Sequence, residues 1–99
     1  MAYDVLTECR AALGVTDDYF DNQISLNIAA ARRKMCIGGV SEAKSNDDED
    51  PLVLVAIISY VKAVTGNDNP DAERYLESFE SMVTQMKLTD CYGKGGGDE

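Results

Sequence analysis

Histidine and tryptophan are absent from these 99 residues, and phenylalanine and proline occur twice each. Without histidine the chain lacks the commonest general base and the commonest metal ligand. Without tryptophan, the core has to come from Leu, Ile, Val, Met and Ala. No GxxxxGK[ST] or GxGxxG phosphate loop and no nucleophile elbow is present. Cations are scarce: nine Lys and Arg stand against eighteen Asp and Glu, a net charge of −9. That balance disfavours direct binding to nucleic acid or to an anionic membrane, both of which need a cationic face. Its plainest consequence is a well-solvated surface.

Cysteine is sparse and odd in number. Cys9, Cys36 and Cys91 lie far apart and form no CxxC pair, which argues for reduced thiols in a cytoplasmic compartment. Cys9 and Cys36 fall among apolar helical positions and read as small core residues; Cys91 lies beside a Gly-rich end, where exposure is expected. The start Met1-Ala2-Tyr3-Asp4 has no basic residue and no apolar run follows it, so no secretory signal is expected. The one long apolar run, residues 52–64, is too short to span a membrane and contains Lys62.

That run is also the most informative stretch. Asp50 is a good helix cap and Pro51 suits the first helical position. From Leu52 to Val64 only Ser59 and Lys62 are polar. At about 100° per residue they share one stripe with Pro51 and Val55, and the rest of the circumference is apolar. Such a helix needs burial on nearly all sides. It belongs at the centre of a small bundle, or under partial cover from another chain.

The flanking segments supply the rest of an all-α bundle of about four helices. Residues 4–13 carry Val5, Leu6, Cys9, Ala12 and Leu13 at helical spacing, stopped by Gly14. A second helix is expected to start at Thr16-Asp17-Asp18, one of which caps it. The three acids Asp17, Asp18 and Asp21 are better explained by this helix start than by paired-carboxylate catalysis. Phe20, Ile24, Ile28, Ala31 and Met35 form the inward stripe, and Gly38-Gly39 ends the helix. The third helix, opened by Asp50-Pro51, is stopped by Gly66. Asn69 caps a fourth, with Pro70 first and Ala72, Leu76, Phe79, Val83 and Met86 inward. Residues 1–92 are read as one domain and 93–99 as a flexible Gly-rich tail.

Between the second and third helices lies a long acidic loop with Glu42, Asp47, Asp48, Glu49 and Asp50. It has no periodicity and reads as mobile surface. It is no EF-hand, because Pro51 and the apolar helix occupy the space where the sixth-position Gly and twelfth-position Glu would fall. No catalytic, cofactor-binding or metal site emerges from the residues, and an enzyme is not expected. Two features remain. Arg32-Arg33-Lys34 is the one basic cluster. It either complements its helix C-terminus, at about 0.3–1 kcal/mol per charge, or makes ion pairs with an acidic patch around Asp47 and Asp48 on a neighbouring subunit. Val55 and Ile58, beside the polar stripe, are the candidates for apolar subunit contact.

Asp50-Pro51-Leu52-Val53 followed by Ala56-Ile57-Ile58-Ser59-Tyr60-Val61-Lys62-Ala63 resembles the third-helix motif of the tailed-phage head–tail connector (adaptor) proteins, also described as a DNA-packaging family. The block Glu73-Arg74-Tyr75-Leu76-Glu77-Ser78-Phe79-Glu80-Ser81-Met82 resembles their fourth helix. Ala12-Leu13-Gly14-Val15-Thr16-Asp17-Asp18 and Ile28-Ala29-Ala30-Ala31 resemble their first turn and second helix. The likeness covers about residues 3–92. Tyr19-Phe20 departs from it, standing where more acidic residues are usual, and the segment 93–99 lies outside it.

The resemblance implies a non-enzymatic virion protein, without cofactor, assembled in the host cytoplasm. It implies a homo-oligomeric ring of roughly twelve copies on the portal protein, extending the DNA channel and receiving a downstream connector, stopper or tail protein. DNA would pass without sequence-specific binding, and an acidic wall suits a channel that phosphate slides through. Leu88, Cys91 and Tyr92 are candidates for docking to the portal or a neighbour, with residues 89–92 ordering on contact. A simple frayed end is the other reading of that segment. The alternative function is a small acidic inhibitor or DNA mimic that fills a basic groove on a host enzyme. Clustering of the acids in one loop and at helix starts, rather than in phosphate-like rows, weighs against it.

Overall fold

The computed structural model describes residues 3–65, 70–89 and 91–93. Five helices follow one another: α1 (Val5–Leu13), α2 (Asp21–Ile37), α3 (Glu42–Ser45), α4 (Pro51–Val64) and α5 (Ala72–Lys87). Among the described residues there are no strands, only an isolated bridge between Val40 and Gly93. No helix there is long and apolar enough to cross a membrane. The fold is the small all-α bundle that the apolar periodicity calls for.

Local chemistry sets most helix ends. The Asp4 carboxylate accepts from the Thr7 N–H at 3.3 Å and the Thr7 hydroxyl at 2.8 Å, opening α1. Gly14 closes it in the left-handed region, φ +75°, where its N–H reaches carbonyls of the last turn and a side chain would be strained. Asp50 caps α4 by accepting the Leu52 N–H at 2.9 Å, with Pro51 at the first helical position.

The start of α2 departs from expectation. The helix begins at Asp21, behind Phe20, with no side-chain cap. Asp17 instead accepts the Tyr19 N–H at 3.2 Å and shapes a turn. The Asp21 carboxylate is taken by the Arg10 guanidinium of α1, whose Nε lies 2.8 Å away. This tertiary contact fixes the corner, so three more residues stay outside the helix. At α5, Asp71 occupies the cap position and the helix starts at Ala72, two residues beyond Pro70. The expected Gly66 stop, the Asn69 cap and residues 94–99 of the tail lie outside the described residues.

The core gathers around α4, which packs against α1, α2 and α5. Val53, Leu54, Ala56, Ile57, Tyr60, Val61 and Ala63 of α4 are buried. α2 contributes Ile24, Ile28, Ala31 and Met35, α5 contributes Phe79, Val83 and Met86, and α1 contributes Val5 and Cys9. The rings of Tyr60 and Phe79 meet at 5.2 Å in a tilted pair. Phe20 and Leu76, expected inward, pack at the core edge, partly buried. Burial pushes the Cys9 thiol up to about 11, so it stays protonated and behaves as a small apolar residue.

Removing the Ile57 side chain should leave a cavity at the centre of this arrangement. Ile57→Ala is expected to lower stability by about 2–5 kcal/mol in denaturant melts, as large-to-small core substitutions do.

Candidate functional site

The acidic segment is more ordered than its composition suggests. Ser41 accepts the Lys44 N–H at 3.2 Å and starts the short helix α3. Ser45 at its end is fully buried. Its hydroxyl donates to the Ser41 carbonyl at 2.9 Å and meets the Cys36 thiol of α2 at 3.4 Å. Cys36 is therefore a half-buried partner of α3 rather than a core residue. The expected mobile loop is instead a tethered one, because cations and hydroxyls of the same chain meet its acids and carbonyls.

Two cations do most of that tethering. Arg32 donates to the Ser45 carbonyl at 3.0 Å and lies 2.8 Å from Asp48 Oδ1, an ion pair too skewed to count as a hydrogen bond. Lys44 reaches Asp47 at 3.2 Å and Asp50 at 3.3 Å. The backbone N–H of Tyr3 donates to the Asp48 carbonyl at 2.9 Å, which brings the N-terminal stretch to the same place.

The C-terminal stretch arrives there too. The Tyr92 hydroxyl donates to Asp50 Oδ2 at 2.7 Å, its carbonyl accepts the Ser41 N–H at 2.7 Å, and the Lys44 ammonium sits 5.0 Å above its ring. Gly93 fits beneath because a Cβ there would come within 2.5 Å of the Lys87 carbonyl oxygen. Tyr92 is thus held against its own chain. Burial by itself would raise the Asp50 carboxyl, but the hydrogen bonds from Tyr92, Leu52 and Lys44 outweigh it and hold the group below the usual carboxylate range. The same bond to Asp50, helped by burial, holds the Tyr92 phenol above its ordinary value.

The remaining candidates are scattered. Arg33 is exposed and makes no ion pair among the described residues. On α4, Val55 is 48% exposed, with Leu52 exposed one turn before it, and Ile58 is half-buried. Leu88 is 74% exposed and Cys91 is exposed. Leu52, Met82, Met86 and Tyr92 line a small cavity of about 100 Å³ where the start of α4 meets the end of α5. The structure therefore joins Arg32 with Asp48, and joins Asp47 and Asp50 through Lys44, within one chain. It leaves Arg33, Val55 and Leu88 on the surface.

The exposure of Tyr19, Leu26 and Ile37 was not anticipated from the sequence. Leu26 and Ile37 carried a usable signal, since both fall off the Ile24–Ile28–Ala31–Met35 stripe on a helical wheel. Tyr19 sits in a turn, where no periodicity speaks.

No group of three or more His, Cys, Asp or Glu among the described residues could hold a metal ion. The chain belongs to the phage connector protein family, whose model matches residues 5–93, so its role is that of a phage head–tail connector in the virion. Neither a curated protein nor a solved structure matches it.

The Asp50–Tyr92 bond has a signed pH consequence. A carboxyl depressed in the folded state contributes stability above its unfolded value and loses it as pH falls through the folded value. Tyr92→Phe should move the Asp50 titration, followed by carboxyl NMR, back up toward the usual carboxylate range and bring acid unfolding to higher pH. At neutral pH the loss should be about 1 kcal/mol. The Arg32 pair separates two neighbouring cations: Arg32→Glu should lower the melting temperature by opposing Asp48, whereas Arg33→Glu should leave it unchanged in calorimetry.

Proposed function

We propose that this connector builds a ring of identical copies, roughly twelve, on the portal of the filled capsid. The ring extends the DNA channel and offers a platform to a downstream connector, stopper or tail protein. The chain acts structurally, with no reaction of its own, and joins the particle after synthesis in the host cytoplasm. What supports this reading is the family match across nearly the whole fold, residues 5–93. The net charge of −9 agrees with it, because an acidic wall repels phosphate and lets DNA slide.

Within that reading, Arg33, Val55 and Ile58 serve the subunit contact, while Leu88 and Cys91 serve the portal side. Arg32, Asp47 and Asp48 act indirectly, by holding α3 in shape, since their charges already meet within one chain. The same pairing weighs against a DNA mimic, which needs rows of open carboxylates.

Electron microscopy of the purified chain with and without portal particles tests the proposal. The expected result is ring density at the portal vertex; portals left bare at high chain concentration would overturn it.

A further inference from the structure

A groove of about 410 Å³ runs between the C-terminal half of α2 and α5, with the core residues Phe79 and Val83 at its base. Ile37, Leu76, Phe79 and Val83 line it, and Ile37 is 77% exposed. Lys34 and Lys87 stand on its walls. Arg10, Arg32, Lys44 and Arg74 are all in ion pairs with carboxylates of this chain, but Lys34 and Lys87 are in none among the described residues. Glu80, on the same wall, leaves the groove net positive on a chain of net charge −9.

At the other end of α2 is a feature of opposite character. Tyr19 is 80% exposed, the most exposed large apolar side chain of the described residues. Its ring is braced edge-on against Phe20 at 4.9 Å, and Phe20 packs against the core. The Asp17 carboxylate holds the turn through the Tyr19 N–H. Asp17 and Asp18 directly precede Tyr19 in the chain, and both are exposed. The result is a braced aromatic knob preceded in the chain by two exposed acids.

We infer that the groove between α2 and α5 seats the Tyr19 turn of a second copy of this chain. The ring enters among Ile37, Leu76, Phe79 and Val83 while Asp17 and Asp18 face Lys34 and Lys87. Knob and groove cannot meet within one molecule, because α2 has 17 residues and holds them about 25 Å apart. A contact between two different patches is head-to-tail, and it closes into a ring when the rotation allows. The two carboxylates of the turn oppose in sign the two ammonium groups of the groove, whose one acid is Glu80; this sets register and disfavours the groove-to-groove arrangement. Burying one tyrosine removes about 150–250 Å² from water, far less than the ~800 Å² per partner of a stable complex. The contact is therefore weak singly and gains from repetition around a closed ring. The inference rests on the ring reading and deepens it by adding a knob and groove to the subunit contact already given to Arg33, Val55 and Ile58.

Charge exchange tests it. One variant carries Lys34→Glu and Lys87→Glu. The other carries Asp18→Lys with Asp17→Asn, because asparagine keeps the oxygen that accepts the Tyr19 N–H. Sedimentation velocity from micromolar to millimolar chain and electron microscopy on portal particles read association of each variant, of their equimolar mixture and of wild type. Each variant alone should need a concentration at least roughly tenfold higher to associate. The mixture should recover association, since each knob then finds a groove of opposite sign. Tyr19→Ser should lose association with an unchanged melting temperature. The proposal is overturned if the variants associate as wild type does, if the mixture fails to recover, or if wild type stays monomeric in both readouts. Complete portal rings of Tyr19→Ser would remove this contact and leave the ring reading standing. Bare portals with wild type would remove the ring reading, while association in solution would still judge the contact.

Discussion

Helix α4 buries seven of its fourteen residues, and covering it is the constraint that organises the molecule. Three helices pack around it, each offering a single apolar stripe. Its fourth side, along Leu52 and Val55, stays open. A chain this short has little other core, so loss of volume at α4 is felt throughout. The remaining helices need only the ordinary amphipathic pattern, and α5 shows it plainly, with buried Phe79, Val83 and Met86 against a charged outer face.

Asp50 joins this core to the rest of the chain. One carboxylate caps α4, accepts from Tyr92 and pairs with Lys44. The acidic segment, the start of the central helix and the C-terminal stretch therefore share one anchor. An acidic run of this kind would repel itself if left open. Here Arg32 and Lys44 offset the repulsion locally, and α3 places the Ser45 carbonyl where Arg32 reaches it. The net charge of the chain is thus a poor guide to where negative potential is presented. Asp17 and Asp18 are both exposed, whereas Asp47, Asp48 and Asp50 of the acidic segment are half-buried.

Much of the fold was legible. The inward stripes of α2 and α5, the cap at Asp50 and the stop at Gly14 are short-range features, decided by residues within four positions of one another. The α2 start was misplaced because Asp21 answers to Arg10, eleven residues earlier on another helix. The candidate site was less legible. Arg32 was readable as a cation seeking an acid, but not that the acid belongs to its own chain. Tyr92 was readable as an anchor, but its partner Asp50 lies forty-two residues away.

The order of amino acids by itself determined that α4 must be central, because no other segment is apolar nearly all round and water excludes such a surface. It also determined the start of α4 at Asp50-Pro51 and the stop of α1 at Gly14, since capping and left-handed glycine are local. Only the tertiary structure decided which charges neutralise each other and which exposed apolar side chains face a groove. Those outcomes depend on how helices are laid side by side, which brings together residues whose spacing along the chain carries no periodic trace. Lys34 and Lys87 share a groove only because α2 and α5 both pack on α4.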